Sequence, residues 1–353
     1  MRVLVTGSNG YIGSVLMPLL IEAGHEVHGF DSDLYAECTY GPSFPKFPYT
    51  KKDIRDVELS DLQGYDAVIH LAALSNDPLS DLNPSLTFDI NHKASVKLAR
   101  IAKDAGVTRF LFSSSCSTYG ASGDNMLNEE ATFNPVTPYG TTKVLVEKDV
   151  AALAADTFSP TFLRNATAYG VSPRMRFDLV INNLVAWAYA SGMVYLKSDG
   201  TPWRPVVHVE DIARAFITIL QAPRATVHNQ AFNIGSNEEN YQILDLAKIV
   251  EKTVPGCRIE FAKDASPDKR CYRVDFVKFS STFPQHKPKW NAISGAEELY
   301  ESYRKYGIRQ EDFEGPRYKR IDHIKRLLST GRLDGTLRWT LQQSKEYSLR
   351  DKI

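Results

Sequence analysis

The first half of the chain alternates short apolar runs with amphipathic stretches of helical periodicity. Five segments carry continuous apolar runs rather than an alternating pattern, which is typical of strands buried on both faces of a parallel sheet: RVLVTG, HEVHGFD, AVIHLAA, RFLFSSS and PTFLRNA. Stretches such as SVLMPLLIEAG and KASVKLARIAKDAG separate them, and Gly106 closes the second as a helix-stop signal. The alternation predicts an α/β fold in which helices cover both faces of a doubly wound parallel sheet.

The alternation ends after Tyr169, where short strands, helices and longer loops indicate a smaller α+β lobe. We therefore expect a first domain over residues 1–172, to which residues 206–236 return, and a discontinuous lobe over residues 173–315. Residues 316–353 form a predicted C-terminal helical extension that contains the basic amphipathic stretch YKRIDHIKRLLSTGR. Two placements of this helix are open: it covers the smaller lobe, or it forms an oligomer contact.

Composition excludes several classes of partner. The 353 residues contain 42 Lys and Arg against 42 Asp and Glu, so no bulk field attracts nucleic acid or an anionic membrane. The four cysteines form no CxxC pair, which argues against a structural metal site and a disulfide framework. The N-terminus enters a strand pattern at once, and no apolar run reaches the ~18 residues of a membrane span. We expect a cytoplasmic protein with no metal.

A glycine-rich turn follows the first predicted strand and precedes the first helix. VLVTGSNGYIGSVLMPLL spaces Gly7, Gly10 and Gly13 as GxxGxxG, the arrangement that brings a pyrophosphate to a helix N-terminus in Rossmann folds. Asp31 ends the second strand, eighteen residues after Gly13. A carboxylate there binds the adenosine ribose hydroxyls and repels a 2′-phosphate, so the pattern favours NAD over NADP. The other residues expected at the cofactor are Asn9, Tyr11, Ile12, Asp53, Ile54, Leu71, Ala72 and Ala73; for Asp53, an ordinary loop carboxylate fits equally well.

The end of one predicted strand and a later predicted helix carry the residues expected to form a catalytic site. The strand RFLF runs into SSSCSTYG, and the sequence PYGTTK places Tyr139 and Lys143 one helical turn apart. An ammonium group beside a phenol lowers the phenol's pKa and makes it a usable acid and base. With the Ser115 hydroxyl at the strand end, these groups can move a proton on a substrate oxygen while NAD accepts hydride from its carbon.

The motifs TGSNGYIG, HLAAL, SSSCSTYG, YGTTK and HVEDIA together resemble the extended short-chain dehydrogenase/reductase superfamily, in its nucleotide-sugar epimerase/dehydratase branch. The resemblance covers roughly residues 1–290. It implies that Ser115 is the catalytic hydroxyl, Tyr139 the acid and base, and Lys143 the partner that also binds the nicotinamide ribose. Asn91, in FDINHKAS, matches the asparagine that keeps the active site in shape.

The residues after Ser115 bear on the reaction. In the 4,6-dehydratases of this family, an Asp–Glu pair follows the catalytic hydroxyl, whereas this chain has Cys116 and Ser117. Dehydration is therefore disfavoured. Cys116 is a candidate acid or base, although the cysteine of the family's 3,5-epimerases aligns with Ser117. A buried thiol that only fills space is the alternative for Cys116.

The same resemblance suggests residues for a nucleotide-diphospho-sugar. Arg174 and Arg176 in SPRMRFD are candidates for the diphosphate, as are Asn182 and Asn183 on the helix that follows. In WRPVVHVEDIA, the resemblance makes Arg204 a candidate for contact with the uracil or the phosphate side of the nucleotide. Arg270 is the first candidate in DKRCYRVDFVK and Arg273 the second, and Thr167 stands where sugar 4-epimerases carry an asparagine.

Three reactions are open at such a site. The leading hypothesis is a nucleotide-diphospho-sugar epimerase that oxidises C4 transiently and regenerates NAD. The alternative is a 4-ketosugar reductase or sugar dehydrogenase that releases its cofactor, and an atypical dehydratase comes third. A cofactor-sensing regulator on this fold would typically lack Tyr139 or Lys143. The resemblance further implies a homodimer.

Overall fold

The computed structural model describes residues 1–75, 77–120, 125–263 and 271–340. Its strands are β1 (Arg2–Thr6), β2 (Glu26–Asp31), β3 (Tyr49–Lys51), β4 (Ala67–His70), β5 (Arg109–Ser115), β6 (Met126–Leu127), β7 (Ser159–Asn165), β8 (Thr167–Tyr169), β9 (Met193–Leu196), β10 (Trp203–His208), β11 (Gln230–Ile234), β12 (Asn240–Gln242), β13 (Arg258–Phe261) and β14 (Arg273–Val274). Its helices are α1 (Gly13–Glu22), α2 (Asp77–Leu82), α3 (Pro84–Phe88), α4 (Ala94–Asp104), α5 (Pro138–Ala151), α6 (Val180–Ser191), α7 (Val209–Gln221), α8 (Arg224–Val227), α9 (Ile243–Thr253), α10 (Val277–Thr282), α11 (Ala292–Tyr306), α12 (Gln310–Phe313) and α13 (Arg320–Ser329).

A seven-stranded parallel sheet in the order β3-β2-β1-β4-β5-β7-β11 forms the centre of the fold. The five apolar runs form β1, β2, β4, β5 and β7, and β4 and β7 are buried along their whole length. The predicted Rossmann-type fold is confirmed. Because all seven strands are parallel, the residues that follow their carboxyl ends meet along one edge of the sheet.

Helices cover both faces of this sheet because successive strand residues point to opposite sides. Val3 and Val5 of β1 belong to the core cluster that contains α1 and α7, whereas Leu4 between them belongs to the cluster that contains α4 and α5. Apolar positions of α1 and α7, such as Leu16 and Phe216, are fully buried. The crossover helices therefore hold the strand ends in fixed positions.

The smaller part of the fold is built around a separate core. The strands β8, β10 and β12 form one small sheet, and β9 and β13 form another. Beside them, α6, α9 and α11 contribute buried side chains such as Leu184, Leu246 and Leu299. The strand β11, in AFNIGS, instead returns to the edge of the large sheet and pairs with β7.

The helix α13 packs on the large sheet's half of the molecule. Ile324 and Leu327 of α13 are fully buried in the cluster that contains α4 and Leu79. Of the two placements left open, the structure does not show the one over the smaller lobe, because the apolar face of α13 meets apolar side chains that follow β4. None of the helices in the described part of the chain is long and apolar enough to cross a membrane.

Candidate active site

A cavity of about 710 Å³ opens at the carboxyl edge of the large sheet and extends towards β9 and β10. Most of the residues that the sequence singled out line it: Gly7, Asn9, Gly10, Tyr11, Ile12, Gly13, Asp31, Asp53, Ile54, Leu71, Ala72, Ala73, Ser115, Tyr139, Lys143, Thr167 and Arg204. Four others lie behind its wall, namely Asn91, Cys116, Arg174 and Asn182. Arg270 is outside the described residues.

The glycine turn leaves room for a ligand only because it lacks side chains. Gly7 has φ +73°, and a Cβ there would lie 2.7 Å from the Ala72 nitrogen. A Cβ on Gly13 would lie 2.3 Å from the Gly7 oxygen. The N-terminus of α1 therefore comes close to β1 and β4, and its first N–H groups border the cavity. This cradle fits the pyrophosphate of a dinucleotide.

Asp31 lies at the end of β2 and links the glycine turn to the adenosine end of the cavity. Its carboxylate accepts hydrogen bonds from the backbone nitrogens of Asn9, at 2.9 Å, and Asp33, at 2.8 Å. Burial raises the pKa of Asp31 to about 6, and the nearby Asp33 carboxylate contributes in the same direction. The carboxylate has acceptor capacity left for ribose hydroxyls, which is the role predicted for it.

Asp53 has a structural partner that the sequence pattern did not suggest. Its Oδ2 lies 2.6 Å from Nη2 of Arg55, and its Oδ1 accepts hydrogen bonds from the Arg55 Nε and backbone nitrogen. Asp53 thereby caps the short 3₁₀ helix Ile54–Asp56 and directs Ile54 into the cavity. The Asp-x-Arg spacing was the available signal for this pair.

Asn91 supports the site from behind rather than from within the cavity. It lies in a π-helical turn, Asp89–Lys93, and its amide pairs with the Leu74 backbone: Oδ1 accepts from the nitrogen at 2.8 Å, and Nδ2 donates to the oxygen at 3.0 Å. Asn91 thus fixes the HLAAL loop, whose residues Leu71, Ala72 and Ala73 line the cavity. π-helical turns of this kind often occur beside functional sites.

Tyr139 and Lys143 share one face of α5. Thr137 caps this helix by accepting from the Gly140 nitrogen at 3.2 Å, and Pro138 starts its first turn. The Lys143 Nζ lies 5.5 Å from the centre of the Tyr139 ring and donates to the Ser113 oxygen at 2.6 Å. Burial lowers the pKa of Lys143 to about 7. The predicted tyrosine–lysine pair therefore exists, with the lysine almost fully enclosed.

The strand end opposite this pair presents hydroxyl and amide groups. Ser115 lies beside Asn165 in the β5–β7 register, and its Oγ accepts a hydrogen bond from the Ser117 nitrogen at 3.1 Å. Ser117 and Asn165 also line the cavity. Within the described part of the chain, neither the Ser117 Oγ nor the Asn165 Oδ1 has a hydrogen-bond partner, although both atoms are buried. Such groups are expected to bind a polar ligand.

The structure places Cys116 outside the cavity lining, which favours the alternative of a buried thiol that fills space over its candidate role as acid or base. Its side chain is fully buried in the core cluster around α7, and its thiol donates to the Arg164 oxygen at 3.2 Å. Burial raises the pKa of this thiol well above its usual value. The 3₁₀ turn Cys116–Tyr119 directs Cys116 inward and Ser117 towards the cavity.

A buried ion pair that the sequence did not indicate supports the strand end. The Arg164 guanidinium binds the Glu147 carboxylate, with an Nη2–Oε2 distance of 2.7 Å, and also donates to the Tyr119 hydroxyl at 3.0 Å. Glu147 accepts a hydrogen bond from Ser114 as well. This network fixes β5, α5 and β7 against one another next to the cavity. The arginine within the otherwise largely apolar run PTFLRNA was the feature of the sequence from which a buried ion pair could have been predicted.

The diphosphate candidates divide between cavity and core. The Arg174 guanidinium donates hydrogen bonds to the backbone oxygens of Asn9, Tyr35 and Ala36 and to the Thr39 hydroxyl. Arg174 therefore stabilises the glycine turn and does not line the cavity. Arg176 lines the cavity, where it pairs with Asp178 at 2.6 Å and donates to Ser75.

The paired asparagines of α6 show the same division. Asn182 bonds to Gly170, Tyr11 and Arg176 inside the protein. Asn183 lines the cavity instead, and its amide donates to the Phe177 oxygen at 2.8 Å.

The far end of the cavity is formed by the smaller part of the fold. Arg204 of β10 borders it together with Tyr272, and the guanidinium carbon lies 5.5 Å from the tyrosine ring centre. Tyr195 and Lys197 of the β9 segment line the same region, and Thr167 lies nearer the strand ends. A cationic group and aromatic rings at one end suit an aromatic base and its phosphates.

Comparisons with known proteins agree with this geometry. The model of the NAD dependent epimerase/dehydratase family matches residues 3–235. A UDP-glucose 4-epimerase of Lactobacillus helveticus is 33% identical over 271 residues, which are 71% of this chain and 82% of that protein.

Two solved structures share the fold at high coverage. The UDP-glucuronic acid 4-epimerase of Bacillus cereus, in complex with UDP-glucuronic acid and NAD, is 26% identical with a TM-score of 0.73 and covers 86% of this chain and 99% of its own. MoeE5, in complex with UDP-glucuronic acid and NAD, is 27% identical with a TM-score of 0.75 and the same coverage. The predicted NAD cofactor is thereby confirmed. The chain belongs to the NAD-dependent epimerase/dehydratase family.

Proposed function

We propose that this protein is a nucleotide-diphospho-sugar epimerase that inverts C4 of a UDP-sugar. One observation carries the proposal: Ser115, Tyr139 and Lys143 line the same cavity as the glycine turn. The names of the Lactobacillus and Bacillus relatives, which are 4-epimerases of UDP-glucose and UDP-glucuronic acid, support C4 as the centre and uridine diphosphate as the carrier.

Each of these side chains has a defined task in this reaction. Tyr139 as the phenolate takes the proton from the sugar 4-hydroxyl, becomes the phenol and later returns the proton, and the Lys143 ammonium beside the ring stabilises the phenolate. The Ser115 hydroxyl holds the same sugar oxygen by a hydrogen bond. When bound, NAD supplies a reversible acceptor for hydride from the sugar carbon. Ser117 and Asn165 offer further polar contacts to the sugar.

The positions of the acidic residues in the cavity argue against a dehydratase reaction. Loss of water from the sugar needs an acid and a base at C5 and C6, and the strand end supplies a buried Cys116 and Ser117 instead. The carboxylates among the described lining residues are Asp31, Asp33 and Asp53 at the adenosine end and Asp178, which is paired with Arg176. None of these follows the catalytic hydroxyl.

The remaining candidates form the nucleotide end of the substrate site in this proposal. Arg204 and Tyr272 hold the uracil or its phosphates, Arg176 is the one of the two candidate arginines that takes the diphosphate role, and Thr167 borders the sugar. Residues 173–315, apart from the returning segment 206–236, form the substrate-binding lobe. Its separate hydrophobic core supports this division.

The test is incubation with UDP-glucose and, separately, UDP-glucuronic acid in D₂O. Proton NMR then follows the hydrogens bound to the sugar carbons. We expect C4 inversion of one of them, no deuterium on any carbon, and no accumulation of NADH. Stoichiometric NADH would instead indicate a dehydrogenase. Deuterium at C3 or C5 would overturn C4 epimerisation, and a dehydrated 4-keto product would identify a dehydratase.

A further inference from the structure

The C-terminal residues reach the cofactor end of the cavity. Two of the described C-terminal residues, up to Thr340, line it: Arg320, at the start of α13, and Leu337, in the turn that follows this helix. Both are buried, with 7% and 5% of their surface exposed. They meet the cavity on the side of Ile54 and Tyr35, which is the side where Asp31 and the adenosine ribose belong.

The turn is attached to the segments that surround the adenosine end. The Trp339 Nε1 donates to the Ser32 oxygen at 2.6 Å, directly after Asp31 in sequence. The Arg55 Nη1 donates to the Thr336 oxygen at 2.9 Å, while the same guanidinium holds Asp53. Arg338 forms an ion pair with Asp56. The C-terminal turn therefore bridges the two loops that are expected to bind the adenosine.

Leu337 adopts a backbone conformation that disfavours it. Its φ is +59°, a left-handed conformation that is unfavourable for an L-residue with a side chain and readily adopted by glycine. The Asp334 carboxylate holds the turn by accepting from the backbone nitrogens of Thr336, at 2.8 Å, and Arg338, at 3.0 Å. The turn itself has no need of a leucine, so the contribution of Leu337 is its apolar side chain beside Ile54 in the cavity wall.

Arg320 adds a positive charge to the same wall. Its guanidinium carbon lies 4.0 Å from the centre of the Tyr35 ring, and Tyr35 also lines the cavity. Buried guanidinium groups are found with anions or carbonyl acceptors, since an isolated buried charge is costly. The pyrophosphate of NAD is an anion that binds in this cavity.

We propose that the segment Arg320–Thr340 is part of the NAD site: Leu337 covers the adenosine end, Arg320 supplies a cation to the phosphates, and the segment retains the cofactor between turnovers. The inference rests on NAD as cofactor and deepens the proposed function, because an epimerase regenerates its NAD and gains from keeping it. Its test measures binding, so the absence of epimerase activity would leave it standing.

The decisive variants are Leu337→Gly and Leu337→Asn, which accept the left-handed conformation and remove the apolar side chain. We expect NAD to dissociate at least about tenfold faster from both, in line with the loss of one buried leucine contact. Leu328→Ala is the matched control, since Leu328 lies in the same segment and packs against the core without lining the cavity. It should lower thermal stability without changing NAD release.

Two further measurements use the full-length protein. Addition of NAD should slow amide hydrogen exchange over residues 332–339. Arg320→Gln should weaken NAD binding and reduce its dependence on salt, because one phosphate contact is lost. Dissociation within about twofold of the wild type in both Leu337 variants, which is less than one buried contact predicts, would overturn the proposal. Unchanged exchange over residues 332–339 would overturn it as well.

Discussion

The Lys143 Nζ donates a hydrogen bond of 2.6 Å to the backbone oxygen of Ser113, two residues before Ser115 on the same strand. This bond joins the helix that carries Tyr139 to the strand that carries Ser115. The bond also holds a lysine in a buried position, where desolvation lowers its pKa to about 7. The stability of the fold and the chemistry of the site therefore depend on the same side chain.

Lys143→Met should reduce turnover and stabilise the fold. The lost ammonium no longer stabilises the Tyr139 phenolate, and we expect a fall in kcat of at least ~10²-fold. The variant also avoids burying a cation, so its midpoint of thermal unfolding at pH 7 should be higher than that of the wild type.

The difference in stability between the wild type and Lys143→Met should depend on pH. The pKa of Lys143 is about 7 in the folded protein and 10.5 in the unfolded chain. The contribution of the neutral lysine to the free energy of unfolding is therefore fully present above pH 10.5, and it is lost as pH falls through 7. The free energy of unfolding of the wild type should therefore rise from pH 7 to pH 9.5 relative to Lys143→Met. Parallel pH profiles of the two proteins would contradict the lowered pKa.

Tyr139→Phe should abolish turnover while NAD and nucleotide sugar still bind, because the substitution removes only the proton acceptor. We expect kcat to fall by ~10²–10⁴-fold with little change in the dissociation constants, measured by calorimetry. Tyr241→Phe is the control, since its hydroxyl donates to Glu239 away from the cavity. More than about a tenth of the kcat in Tyr139→Phe would show that another group carries the proton.

Asp31 should make cofactor preference depend on pH. Because its pKa is raised to about 6, the carboxylate accepts a proton as pH falls from 8 to 5 and loses both its bond to the ribose and its repulsion of a 2′-phosphate. The ratio of the NADP to the NAD dissociation constant should therefore be large at pH 8 and smaller at pH 5.

Asp31→Ala should weaken NAD binding and give a small ratio that does not change with pH. Asp31→Asn keeps the size of the side chain and should remove the pH dependence in the same way. Unchanged cofactor preference in Asp31→Ala would exclude the ribose role.

Cys116 and Ser117 are neighbours that should respond in opposite ways. Cys116→Ser keeps a small donor for the Arg164 oxygen outside the cavity, so activity should remain within a few fold of wild type. Ser117→Ala removes a buried hydroxyl from the cavity wall and should raise KM or lower kcat for the nucleotide sugar without lowering the unfolding midpoint. Loss of activity in Cys116→Ser, with deuterium incorporated at C3 or C5 by the wild type, would make the thiol catalytic.

Glu147→Gln should destabilise the protein strongly. The substitution leaves the Arg164 guanidinium buried without its anion, a change that typically costs about 3–5 kcal/mol. Glu301→Gln is the matched control, because its partner Arg304 is exposed and solvent screens such a surface pair, so little stability should be lost. Urea unfolding measures both. Equal effects would mean that the buried pair does not support the strand end.

The sequence by itself determined the parts of this protein that depend on local spacing. The five apolar runs and the helices between them specify a parallel sheet, and GxxGxxG specifies a turn in which a Cβ on Gly13 would clash with the Gly7 oxygen. Tyr139 and Lys143 share a face because they are one helical turn apart. Such features rest on neighbours within a few residues, so a single sequence was enough to predict them.

Only the tertiary structure decided what depends on contacts between distant residues. Cys116 faces the core and Ser117 the cavity because a 3₁₀ turn follows β5, and Arg174 is drawn to backbone oxygens more than 130 residues earlier in the chain. Trp339 bonds to Ser32 across a separation of 307 residues and so brings the C-terminal turn to the cofactor site. The periodicity of a helix indicates that it has an apolar face, but the surface that covers this face is set by the packing of the whole chain.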